Sequence, residues 1–258
     1  MAEKNKAIVS YDSDYDTDND DHQDEKSDLE LPLEKLNLGP KKKLLVISIN
    51  GLLLYRDRPS QMRNIHKYRR PDAYYSLYSV FLRPFSEDFM KFCLERFEVG
   101  IWSSAREHNA YTTLNYAIGS LKSKLLFVWD QKDCTDTGFM SLENEDKRLF
   151  FKDLNKVFQD VKKGGPYTES NTLMIDDTPY KTFLNPPNTA IFLEPYDPLN
   201  KNDSALDPKG ELCSYLEGVA AAQDVQSYVK ENPFGQPAIT SSHVDWDFYS
   251  KVKERLHR

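Results

Sequence analysis

The chain has 258 residues, with 41 acidic and 34 basic side chains, a net charge of −7 and 39% hydrophobic residues. That length suffices to bury one sizeable core. Three scattered cysteines, Cys93, Cys134 and Cys213, form no CxxC pair, which argues against a disulfide framework and a structural zinc site. No apolar run reaches the length of a membrane span.

The charge is unevenly placed. Residues 1–40 hold 12 acids against 4 bases, a net of −8, which leaves +1 for residues 41–258. The first forty residues therefore read as a disordered acidic tail, because they bury too little apolar surface to offset ordering entropy. Ser13, Thr17 and Ser27 each precede acids closely, a setting that suits acidophilic kinases. The tail has no hydrophobic signal core, and its acidity is wrong for a mitochondrial presequence, so nucleus or cytoplasm is the expected location.

From residue 41 the predicted elements alternate. Leu44–Ile49 reads as a strand that Gly51 ends with a turn. Residues 55–72 read as a basic loop carrying Arg56, Arg58, Arg63, Lys67, Arg69 and Arg70. A tyrosine-rich extended segment, Tyr74–Leu82, comes next. Pro84 then opens a helix with Phe85, Phe89, Phe92, Cys93 and Phe97 at helical spacing. Val99–Trp102 is a short strand, Glu107–Gly119 a helix, Leu125–Trp129 a strand, and Phe150–Phe158 a short helical stretch. After the Gly164-Gly165-Pro166 turn come strands at Thr172–Ile175 and Ala190–Phe192. Helices over Glu211–Val229 and Trp246–Leu256 close the chain.

Short apolar strands alternating with helices predict an α/β domain with a largely parallel sheet. Such sheets bind ligands at the carboxyl ends of their strands. Three strands carry polar residues there: Ser48 and Asn50, Ser103 and Ser104, Asp176 and Asp177. If the strands are neighbours, these groups meet at one site. Each has an ordinary reading too: Asn50-Gly51 is a common turn pair, Asp176-Asp177 before Thr-Pro suits a helix cap, and Lys152 alone reads as a surface lysine.

Four blocks together resemble the haloacid-dehalogenase superfamily, and within it the RNA-polymerase-II tail phosphatases and small CTD phosphatases. They are Leu45–Leu53, where the family shows Asp-x-Asp-Gly-Thr; Ile101-Trp102-Ser103-Ser104-Ala105; Phe151-Lys152-Asp153-Leu154; and Ile175-Asp176-Asp177-Thr178-Pro179. Phe127–Gln131 with Cys134-Thr135 looks like the small inserted sheet region of that branch. The resemblance implies a Rossmann-like core with helices on both faces and a small β insert. It divides the chain into the tail (1–40), a phosphatase-like domain (41–200) and a C-terminal helical extension packed on it (201–258).

In the family the first Asp attacks phosphorus and the second cycles the proton. A Ser/Thr and a Lys hold the phosphate, and Mg²⁺ binds the first Asp and a group of the fourth block. Carried over, Ser103 and Lys152 match the phosphate holders and Asp177 the metal ligand, with Asp176 behind it. Ser48 and Asn50 stand in the catalytic places, where both carboxylates are absent. Asn50 does not cycle a proton near neutral pH. Mg²⁺ loses its main anionic ligand and keeps only Asp177 and the Asn50 carbonyl, so its binding is expected to be weakened. Loss of both carboxylates costs on the order of a thousandfold or more in rate.

The expectation is thus a pseudophosphatase that binds phosphorylated or acidic protein segments without efficient hydrolysis. The alternative is a Mg-dependent Ser/Thr phosphatase, active or weakly so, in which Asp176 or Asp57 replaces a missing carboxylate. A third reading, an import-receptor-like scaffold, is opposed by the absent membrane segment and the acidic N-terminus. RNA binding through loop 55–72 and its neighbouring tyrosines is a further alternative to a solvated loop. No membrane partner is expected.

Overall fold

The computed structural model describes residues 41–58 and 65–256. The predicted tail, with Ser13, Thr17 and Ser27, and Arg63 of the basic segment lie outside the described residues. In chain order the elements are β1 (Leu44–Ile47), β2 (Leu54–Asp57), α1 (Ile65–Tyr68), β3 (Ala73–Tyr75), β4 (Tyr78–Leu82), α2 (Ser86–Arg96), β5 (Glu98–Trp102), α3 (Glu107–Ile118), β6 (Phe127–Trp129), β7 (Thr135–Met140), β8 (Arg148–Phe151), α4 (Leu154–Asp160), β9 (Thr172–Asp176), β10 (Ala190–Phe192), α5 (Glu211–Ala221), α6 (Val225–Glu231) and α7 (Trp246–Leu256).

Five strands form one parallel sheet in the order β10-β9-β1-β5-β6. β1 is central and buried on both faces, as its unbroken apolar run requires. Alternate residues point to opposite sides. Leu45, Ile47, Val99, Ile101, Leu173 and Ile175 join α2, α3, α5 and α6 in the larger core. Leu44, Val46, Trp102 and Met174 pack with Leu154 and Val157 of α4 on the other face. This is the α/β fold expected from the sequence, with helices on both faces. No described helix is long and apolar enough to cross a membrane.

Two small antiparallel sheets flank the central one, β2-β4-β3 and β7-β8. Several expectations change here. The basic segment 55–72 is not simply a loop: it begins as β2, paired with β4, because Tyr55 and Arg56 lie opposite Phe81 and Val80. Phe127–Trp129 is the edge strand of the central sheet, paired with β5, and the insert is β7-β8 instead. Phe150 and Phe151 are not helical. They end β8, whose alternate residues Leu149 and Phe151 are buried, and α4 starts only where Asp153 caps the Asn155 amide.

The predicted Glu211–Val229 helix is two helices. The chain breaks at Ala222, and Asp224 starts α6 by accepting from the Ser227 amide. α2 begins at Ser86 rather than Pro84, with the Ser86 hydroxyl donating to the carbonyls of Leu53 and Arg83.

Candidate active site

The carboxyl ends of β1, β5 and β9 lie side by side, so the polar residues that come after them converge as the strand-end argument requires. The Ser48 amide donates to the Ile175 carbonyl at 3.0 Å, which carries the parallel register one residue past β1. Gly51, at φ +83°, then reverses the chain. Asn50 is exposed, and its Oδ1 accepts from the Arg56 amide at 2.9 Å. At the end of β5, the Ser103 amide donates to the Trp129 carbonyl, and its Oγ accepts from the Ala105 amide at 3.1 Å.

Lys152 comes directly after β8. Its side chain is 1% exposed, and its ammonium donates to Ser48 Oγ at 3.1 Å and to Asp176 Oδ2 at 2.5 Å. Asp176, fully buried, closes β9. Its Oδ1 accepts from the Thr178 amide at 3.0 Å and from the Lys181 ammonium at 3.1 Å. Lys181 also donates to Asp177 Oδ1 at 3.2 Å. Two lysines and two carboxylates thus form one cluster beside Ser48, fully buried at Lys152 and Asp176 and partly exposed at Asp177 and Lys181.

The charges hold one another in place. Burial opposes ionisation of Asp176, yet the ammoniums of Lys152 and Lys181 outweigh it and hold its carboxyl well below the usual carboxylate range. Burial also works against the Lys181 charge, but Asp176 and Asp177 outweigh that and hold it well above the ordinary lysine value. Asp177 is pushed up, chiefly by burial, against the pull of Lys181 and with the Asp176 charge beside it.

In front of this cluster opens a cavity of about 1020 Å³. Ser48, Asn50, Ser103, Ser104, Thr178 and Lys181 line it, and Arg56, Arg58, Arg106, Lys147 and Arg148 with Lys181 outnumber the acids Asp57, Asp136, Glu143 and Asp146 there. The Arg56 guanidinium lies 4.4 Å from the Tyr78 ring centre, and its Nη1 is buried without a hydrogen-bond partner among the described residues.

The structure therefore brings together Ser48, Lys152, Asp176 and Asp177, with Ser103 on the same cavity wall. It places Lys152 behind Ser48 rather than on the wall, and puts Lys181 there instead. Sequence reasoning missed Lys181. The available signal was its spacing, four residues after Asp177 and just past Thr178-Pro179, where a 3₁₀ turn over Pro179–Thr182 folds it back onto the carboxylates.

The donor set does not suit a divalent cation. Mg²⁺ demands near-octahedral oxygen coordination. Asp176 and Asp177 are already engaged by ammoniums, Ser48 supplies no charge, and Asn50 Oδ1 is occupied by an amide. Among the described residues no group of three or more His, Cys, Asp or Glu is placed to hold a metal.

A relative in Schizosaccharomyces pombe, an uncharacterized FCP1 homology domain-containing protein, is 24% identical over 226 residues, covering 84% of this chain and 87% of its own. Among solved structures, that of Fcp1, an essential RNA polymerase II CTD phosphatase, superimposes with a TM-score of 0.42 at 17% identity, covering 83% of this chain. A beryllium-fluoride-bound form of the fission yeast enzyme gives a TM-score of 0.38 at 15% identity, again with 83% of this chain covered. The chain spans 62% of the length of each of these two structures. Residues 43–226, more than half of the chain, match the model of the NLI interacting factor-like phosphatases, and the chain belongs to that family, a CTD-phosphatase-like branch of the haloacid-dehalogenase fold.

Proposed function

We propose that this domain is a pseudophosphatase that binds phosphorylated or acidic protein segments without efficient hydrolysis. The observation that carries the reading is the environment of Ser48. A serine nucleophile needs a base to take its proton. The charged neighbour within hydrogen-bond reach of Ser48 Oγ is the Lys152 ammonium, a donor paired at 2.5 Å to Asp176. Asn50 offers an amide, already bonded to the Arg56 backbone, where an acid/base would be needed.

The carboxylates that would have to stand in are otherwise engaged. Asp57 accepts from the Tyr55 hydroxyl at 3.2 Å and the Arg58 amide at 2.7 Å, and Asp176 lies between two lysines. Binding is supported by the cavity's positive charge. Six bases line it, Arg56, Arg58, Arg106, Lys147, Arg148 and Lys181, against four acids, Asp57, Asp136, Glu143 and Asp146, of which Asp136 is paired to Arg148 and Asp57 is bonded within its own segment. Guanidinium and ammonium groups suit phosphate oxygens. A protein segment is the proposed partner, with neither a membrane nor a nucleic acid required.

The family is generally Mg-dependent, so the deciding assay measures turnover of an aryl phosphate and of phosphoserine peptides with and without Mg²⁺, alongside peptide binding by fluorescence anisotropy. The expected result is turnover no faster than buffer, and binding that weakens as salt rises. Mg²⁺-dependent turnover abolished by Asp177→Ala overturns the proposal.

A further inference from the structure

The Lys181 ammonium occupies a position that nothing in the hydrolytic scheme of the family calls for. It bridges the two adjacent carboxylates at the end of β9, 3.1 Å from Asp176 Oδ1 and 3.2 Å from Asp177 Oδ1. We propose that Lys181 is a built-in counter-cation for the Asp176–Asp177 pair, standing where a divalent ion would otherwise be drawn, so that the pocket works as a metal-independent anion site.

Three observations carry this. The first is charge balance. Lys152 and Lys181 face Asp176 and Asp177 in one cluster, two positive groups against two negative ones. An added divalent cation would meet an ammonium in contact with the same oxygens, in surroundings of low dielectric where like charges repel strongly.

The second is that Lys181 is placed by its backbone rather than left to find a partner. Its carbonyl accepts from the Lys152 amide at 2.6 Å, and its amide donates to the Thr178 carbonyl at 3.2 Å. The next residue back, Tyr180, stacks on Tyr249 of α7, with ring centres 5.6 Å apart and planes 15° apart. The Lys181 side chain is 13% exposed and that of Asp177 11%, so water contributes little to neutralising either group. The third is that the remaining positions do not complete a metal shell: Ser48 points to Lys152, and Asn50 Oδ1 accepts from Arg56.

The inference deepens the proposed function by putting the Lys181 ammonium of a charge-balanced cluster on the cavity wall, while its two carboxylates stay out of the lining. It rests on that reading only for the anion and is tested by metal binding rather than by turnover. The test uses the full chain as wild type, Lys181→Gln, Lys181→Arg and Asp177→Asn, each checked for folding by circular dichroism. Mn²⁺ is titrated against each and followed by electron paramagnetic resonance. The expected result is no saturable Mn²⁺ signal in the wild type or Lys181→Arg, and saturable Mn²⁺ binding in Lys181→Gln, tighter by about a thousandfold, the factor that removing one like unit charge about 4 Å away provides at an effective dielectric constant of about 20.

A saturable wild-type signal that Asp177→Asn removes overturns the proposal, and this comparison holds whether or not Lys181→Gln folds. A folded Lys181→Gln chain that binds Mn²⁺ no better than the wild type overturns it as well. Turnover by the wild type without a Mn²⁺ signal would sink the pseudophosphatase reading and leave the counter-cation standing, so the two failures are distinguishable.

Discussion

The Asp177 carboxylate fills the space that a side chain at Gly51 would need. A Cβ built on Gly51 stands 2.0 Å from Asp177 Oδ2 and 2.4 Å from Cγ. The glycine of the first block and the carboxylate of the fourth are therefore fitted to each other across the β1–β9 junction. Gly51 is also at φ +83°, a conformation that L residues adopt at a cost.

Gly51→Ala is expected to destabilise the fold by about 1–3 kcal/mol, from the backbone strain and the displaced carboxylate together. Urea denaturation measures it. Because Asp177 is held by Lys181, the carboxylate does not swing aside without breaking that ion pair. A variant as stable as the wild type would show that the two segments are not in contact.

Lys152, expected from the sequence as a phosphate holder, lies buried between Ser48 and Asp176. Its replacement by Met leaves the Asp176 carboxylate fully buried with one ammonium instead of two, and leaves Ser48 Oγ without its donor. Breaking a buried pair costs about 3–5 kcal/mol when an uncompensated charge is left. Since Lys181 remains, a loss at the low end of that range is expected from denaturant unfolding of Lys152→Met. Lys156→Met, at a half-buried position of α4 with its ammonium on the Asp133 carbonyl and no carboxylate partner among the described residues, is expected to cost far less. Equal losses in the two variants would remove Lys152 from the cluster.

Acid should act through Asp176. A carboxyl held well below its unfolded value binds fewer protons in the native state. Its contribution is therefore present above the unfolded value, about pH 4, and is lost as pH falls through the depressed native value. Asp177 works in the opposite sense. Its carboxyl is pushed up, so its contribution is present in acid and is lost as pH rises through its raised value. Urea midpoints of wild type and Asp176→Asn are expected to differ by a constant amount at neutral pH and to converge below about pH 4. A gap that persists undiminished into strong acid contradicts the pairing of Asp176 with the two lysines.

The strand ends are legible in the sequence because buried parallel strands read as short apolar runs, and the residues after them are polar only where the chain turns at the site. Leu44–Ile47 with Ser48, and Thr172–Ile175 with Asp176-Asp177, announce themselves in that way. Lys181 is marked only by its spacing, four residues after Asp177, because a 3₁₀ turn and its backbone bonds to Thr178 and Lys152, rather than a side-chain pattern, bring it back. β8 is hidden for a related reason. Phe150-Phe151 suits a helix face as well as a strand pair, and only the partner strand β7, far from the site blocks in pattern, decides it. The break before α6 does carry a signal, Asp224 three residues before Ser227, but the alanines at 220–222 read as uninterrupted helix.

The last helix reaches the site by packing alone. Tyr249 and Val252 of α7 are buried against Leu149 and Phe151 of β8, which runs directly into Lys152. Tyr249 also stacks on Tyr180, beside Lys181, and Phe183 packs against Trp246 at 5.5 Å between ring centres. Both lysines of the cluster thus sit on segments that α7 covers. Tyr249→Ala leaves a cavity among aromatic rings and is expected to cost about 3 kcal/mol, in the range of large-to-small aromatic replacements. A chain ending at Asp245 should lose more, since Trp246, Tyr249 and Val252 leave together. Hydrogen exchange followed by mass spectrometry distinguishes a local effect from a global one. Amides of the Pro179–Thr182 turn and of β8 are expected to lose protection first, while β1 and β5 keep theirs. If the truncated chain protects the turn as well as the intact one does, α7 has no part in placing Lys181, and the turn's own bonds to Thr178 and Lys152 suffice.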